Sequence, residues 1–184
     1  MKSILRLLLL ATALILLGCD ERTEETDSGG VLLEIDFGNL IPAFGSMATI
    51  DAAGTFAAEQ FNIRSSTPNQ VAEQSDLMNV QLQGVEVLYE RVDGGTRLPP
   101  PYYIELIGTV PVNGVLTLNN MPLMATDQIT VPPLTDLLPQ NGGFDQETGR
   151  TSVQFTFTIR AYGRTIGERD VASSPRRLTV EIFQ

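Results

Sequence analysis

The chain has 184 residues, 42% of them hydrophobic and 18% charged, with one Cys, no His, no Trp and a formal charge of −10. Without His there is no imidazole base, no His-paired nucleophile and no His-ligated metal. A single Cys makes neither an internal disulfide nor a Cys-rich zinc or iron–sulfur site. Carboxylates, Tyr, Arg and hydroxyls are what remains for acid–base chemistry. The expectation is therefore a chain that is not an enzyme and holds no cofactor. The acidic balance also speaks against nucleic acid, because Arg176 and Arg177 are the only adjacent cations and read as a solvated strand end.

Lys2 and Arg6 lead into an apolar run over residues 7–17. As a helix that run is about 16 Å long, too short for the roughly 30 Å of a bilayer core and suited to the apolar stretch of a signal peptide. It ends in Leu16-Leu17-Gly18-Cys19. This segment resembles the lipobox of bacterial lipoproteins, with Leu at −3, a small residue at −1 and Cys at +1. The resemblance implies cleavage between Gly18 and Cys19, a diacylglyceryl group on the Cys19 sulfur and palmitate-type acylation. Membrane lipid is then the first partner, and two or more acyl chains hold a protein on a bilayer stably where one does not. Asp20, next in the chain, resembles an inner-membrane retention signal of one Gram-negative sorting rule. The implied address is the cell envelope, lipid-anchored and facing the periplasm or the surface.

Residues 20–30 carry five acids, one Arg and no large apolar side chain. Such a segment cannot bury a core and is expected to act as a flexible acidic tether, about 18 Å long as a coil. Asp27-Ser28-Gly29 spells an aspartic-protease triplet, but no apolar strand precedes it. The expected organisation is a signal peptide over 1–18, lipidated Cys and tether over 19–30, and one folded domain over 31–184. Removal of Lys2 with the leader leaves no Lys, which excludes Schiff-base and Ser–Lys chemistry.

From Val31 onward, period-two alternation dominates. Val31, Leu33, Ile35 and Phe37 share one face. Val153, Phe155, Phe157, Ile159 and Ala161 alternate with polar residues, as do Leu178, Val180 and Ile182. Each set predicts a strand with one buried face. Over 78–89 the apolar phase switches from even to odd positions at Gly84, which predicts a β-bulge there, and Asp93-Gly94-Gly95 ends the strand. Further strands are expected over 56–63, 103–110 and 115–118. Asn113-Gly114 signals a two-residue hairpin, and a second hairpin is expected over 163–167. An Ala-rich stretch over 46–58 is compatible with a turn of helix. The sum is an all-β fold, a single antiparallel sandwich of about seven strands. Its ending, a long Phe/Thr strand, Ala161-Tyr162-Gly163-Arg164, a turn and a closing Thr-Val-Glu-Ile strand, resembles the last hairpin of immunoglobulin-like or fibronectin type III-like modules. The Cys–Trp–Cys core of true immunoglobulin domains is absent.

Four segments are candidates for contact. The connection over 119–150 is far longer than an ordinary loop, with a short strand expected over 128–131. Its Leu134, Leu137 and Leu138 either form a partner-binding lobe or plug one end of the sandwich. Pro99-Pro100-Pro101-Tyr102 matches a Pro-Pro-x-Tyr ligand pattern but reads better as a rigid lead into a strand, with Tyr102 and Tyr103 left as docking candidates. The Gly-rich stretch over 141–149 gathers oxygen ligands without EF-hand spacing, so no metal is expected. The functional expectation is a non-catalytic structural or protein-interaction module, with a small-ligand or glycan-binding accessory domain as the alternative. The envelope partner is not identified by the sequence.

Overall fold

The computed structural model describes residues 30–37, 44–68 and 75–184. Alternation decides its longest strand. In β7 (Ser152–Thr165), Val153, Phe155, Phe157, Ile159 and Ala161 are fully buried, and the residues between them face outward. The other strands are β1 (Leu32–Asp36), β2 (Phe44–Ser46), β3 (Thr55–Ser66), β4 (Val80–Arg91), β5 (Tyr102–Val110), β6 (Val115–Ala125), β8 (Asp170–Ala172) and β9 (Arg176–Phe183). Two short helices join them, α1 (Met47–Ala53) and α2 (Thr126–Ile129). α1 stops at Gly54, whose φ of 66° is the left-handed cap that glycine adopts without steric cost.

The strands form two sheets. One has the order β1-β3-β6, and the other β2-β9-β7-β4-β5, with β8 also paired to β7. Every pairing between these strands is antiparallel except that of β2 with β9. The inward faces meet in one apolar core, as two facing sheets require. Phe56 of β3 packs edge-on against Phe157 of β7 at 5.9 Å, and Tyr89 of β4 meets the same ring at 5.1 Å. Aromatic rings prefer these perpendicular arrangements. The Tyr89 hydroxyl crosses between the sheets and donates to the Leu123 carbonyl at 2.8 Å. Leu123 is left over where the β3–β6 register shifts, so this carbonyl lies outside the regular ladder.

The phase switch in β4 has the expected cause. Register shifts between Leu82 and Gly84, leaving Gln83 without an opposite number on β7. A Cβ at Gly84 would collide with the Tyr103 hydroxyl end and come within 2.6 Å of the Ile104 carbonyl oxygen, so glycine is needed there for close approach.

Several expectations are corrected. There are nine strands among the described residues rather than seven. The Asn113-Gly114 turn exists, with Asn113 at φ 53° and Gly114 N–H bonded to the Pro111 carbonyl, but it forms no hairpin. It carries the chain from β5 in one sheet to β6 in the other, because β5 pairs with β4 and β6 with β3. Residues 128–131 are not a strand; 126–129 form α2, where Gln128 Oε1 accepts from Ala125 N–H and Thr130 Oγ1 donates back to the Thr126 carbonyl. β6 runs to Ala125, so the long connection is shorter than the sequence suggests and contains α2 and two 3₁₀ turns. The second expected hairpin forms, with Arg164 opposite Asp170.

Candidate functional site

β5 is held on one side only. Tyr102 to Glu105 pair regularly with Val87 to Gly84. Past them Leu106 and Ile107 share a single opposite residue, Gln83, and the ladder resumes at Gly108 opposite Leu82. Among the described residues the far edge of β5 pairs with no strand. Its outward side chains are Tyr103, Glu105, Ile107 and Thr109, and Ile107 is as exposed as a residue in an extended peptide. Its inward side chains, Tyr102, Ile104 and Leu106, are only half-buried. Across the gap between sheets, β6 is likewise an edge strand, and its Leu116 and Leu118 are also half-buried. The margin of the sandwich between β5 and β6 is thus apolar and unsealed.

The opposite margin is closed. There Leu33 of β1 bridges to Ser173 just past β8, and Leu33, Ile35 and Val171 are buried. Outside this seam lies a groove of about 1070 Å³, lined by Glu34, Tyr162, Arg160, Arg164, Asp170 and Ser174 among others. Arg164 Nε donates to Asp170 at 2.8 Å and Tyr162 donates to Glu86 at 2.9 Å, which raises the tyrosine above its ordinary pKa together with its partial burial.

The long connection presents its leucines inward. Leu134, Leu137 and Leu138 belong to the core. Between them Asp136 faces Arg97, with Nη2 and Oδ2 2.7 Å apart but no aligned N–H. This is one corner of a buried charge cluster. Arg91 grips Asp93 with two bonds of 2.8 Å and reaches Asp145 at 2.9 Å; all three side chains are sealed from solvent. Arg97 donates to the other oxygen of Asp145 at 2.9 Å. Asp145 also accepts from the Thr148 backbone and hydroxyl, and Asp93 from the N–H groups of Gly95 and Gln154. Glu147, on the rim, accepts from Thr96 and Arg97 N–H groups.

Burial alone would push Asp93 and Asp145 toward the neutral acid. The hydrogen bonds from Arg91, Thr148 and backbone N–H groups outweigh it and hold both well below the usual carboxylate range. The loop read as a collection of oxygen ligands is therefore filled by guanidinium groups. Among the described residues no group of three or more His, Cys, Asp and Glu is arranged to hold a metal ion.

The sequence singles out the loop of Asp145 without its partners, which lie about fifty residues upstream. A usable signal is present: Val85, Val87 and Tyr89 point inward, and the next odd position is Arg91. A cation on an inward phase demands carboxylates nearby. Tyr102 and Tyr103 sit together on the open edge, whereas the three leucines lie apart from them in the core. Gly18, Cys19 and the 27–29 triplet lie outside the described residues. No described helix is long and apolar enough to cross a membrane. Compared with protein-family models, with curated proteins and with solved structures, the chain matches none.

Proposed function

We propose that this chain is a lipid-anchored module of the bacterial cell envelope that works by protein contact and not by catalysis. The single observation that carries the contact role is the unpaired edge of β5 beside the apolar β5–β6 margin. Unpaired edges in native proteins are ordinarily shortened, charged or covered, and open ones accept further strands. The reading as non-catalytic rests on the state of the buried acids: Asp93 and Asp145 are locked as carboxylates against arginine, unlike the raised, protonated acid that hydrolysis needs. The anchor rests on Leu16-Leu17-Gly18-Cys19. Immunoglobulin-like ancestry of the body is supported by strand order, since β1-β3-β6 facing β9-β7-β4-β5 matches the A-B-E and G-F-C-C′ arrangement of that fold.

Metabolic labelling with a palmitate analogue tests the anchor: label on the native chain and none on Cys19→Ser is expected, and equal label in both overturns it. The groove outside the β1–β8 seam favours a second reading, a small polar or glycan ligand held between Arg160, Arg164 and Glu34. Titration calorimetry with envelope glycans separates the two, because heat lost in Arg160→Gln belongs to the groove alone.

A further inference from the structure

We infer that the partner of the β5 edge is β5 of a second copy of this chain, paired antiparallel about Ile104. The inference rests on the protein-contact reading above and names its partner. β5 has nine residues, one charge and no Pro, Lys or Arg, so it lacks the usual devices that keep strands apart. The other edges differ: β2 is three residues long, β1 is five and is bridged at Leu33, and β6 contains Pro122 and has Asn120 at φ 52°. The chain as a whole carries −10, so two copies repel each other except where their charges are sparse. β5 is such a place.

The strand's own pattern selects the register. The half from Tyr102 to Glu105 is regular against β4, whereas the shift opposite Gln83 distorts the half beyond Glu105. Two-fold antiparallel pairing centred on Ile104 sets Ile104 against itself, Tyr102 against Leu106 of the other copy and Tyr103 against Glu105. Centring on Glu105 instead would set that carboxylate against its twin, which destabilises a pair. In the Ile104 register the three half-buried side chains of β5 cover one another, each Glu105 faces a tyrosine, and Ile107 comes to lie against Pro101 of the other copy. An isologous contact of this kind closes after two copies and leaves no edge to propagate. The two β5-bearing sheets join into one continuous sheet across the dimer.

Opposed Cα atoms in antiparallel strands are about 4.5–5.5 Å apart, within reach of a disulfide. The test co-expresses the full chain as Tyr103→Cys and Glu105→Cys in the native envelope, under mild oxidation, and reads product mass on non-reducing gels. Both positions face solvent, so neither substitution disturbs the core. The expected result is a product of twice the chain mass in the mixture, at least about tenfold more than from either variant alone. Equal yields from Tyr103→Cys alone overturn the register and with it the proposal. Adducts of another mass overturn the second copy while leaving the contact reading intact, and no adduct at all overturns both. The unsubstituted chain is the control for the anchor: its only thiol is Cys19, so a dimer band there marks an unlipidated sulfur and sinks the anchor separately.

Discussion

The Arg91 cluster and the β5–β6 margin invert the ordinary distribution of polarity in opposite ways. In the first, charge is buried and every carboxylate of Asp93 and Asp145 is hydrogen-bonded. In the second, apolar side chains are left half in water beside an unpaired backbone edge. The cluster ties the turn after β4 to the long connection before β7, and the leucines of that connection close over the core from the same side. No comparable clasp joins β5 to β6, which share only the Pro111–Gly114 turn. Exposed apolar surface is thus not a failure of the whole domain to close. It is confined to one margin, which is the physical ground for assigning that margin a partner.

Breaking the cluster gives the largest expected effect. Arg91→Met leaves Asp93 and Asp145 buried without their cation and is expected to cost about 3–5 kcal/mol in urea unfolding. The same cluster sets the acid limb. Asp93 and Asp145 are depressed in the folded state, so their contribution is complete above about pH 4, the ordinary range for Asp, and is lost as pH falls toward their folded values. Unfolding midpoints measured from pH 7 down to pH 2 should fall less steeply in Asp145→Asn than in the native chain. At the other extreme Tyr89 is raised by burial, so its share is kept up to about pH 10 and lost above it.

Gly84→Ala sharpens the comparison from the side of the margin. Its Cβ would run into Tyr103 and the Ile104 carbonyl, and a loss of about 1–3 kcal/mol is expected by denaturant titration. Tyr89→Phe removes the donor to the Leu123 carbonyl and should cost about 1–2 kcal/mol, read as a lower thermal midpoint. Ile107→Ser is the smallest: in the isolated subunit its stability effect should stay within about 0.5 kcal/mol, since the side chain touches little. A large loss there would mean that Ile107 already packs within its own chain, and the contrast between the two regions would dissolve.

What is legible in the sequence is whatever a single strand encodes in its own alternation. β1, β7 and β9 announce their buried faces, and the phase switch at Gly84 announces the bulge, because a pleated strand forces every second side chain to one side. Pairing across the molecule is not so encoded. Asn113-Gly114 specifies a tight turn but not whether the strands it joins belong to one ladder, and here they do not. Gln128 and Ile129 look like strand residues in a short apolar run, yet Gln128 folds back on Ala125 to start α2. The cluster is invisible for the same reason: Arg91 and Asp145 meet only after β4 and the long connection have been placed. Tyr102 and Tyr103 are docking candidates in the sequence because of a proline-rich pattern. Their position on an open edge comes instead from β5 being the last strand of its sheet.

The bridge between Leu33 and Ser173 has a mechanical consequence. Gly30 leads directly into β1, and β1 is laddered to β3 in one sheet while touching the β8 end of the other. A pull arriving through the N-terminal segment is therefore divided between both halves of the body from the first residues it meets. Peeling the first strand away would require both seams to yield together, which suits a body towed by its front end.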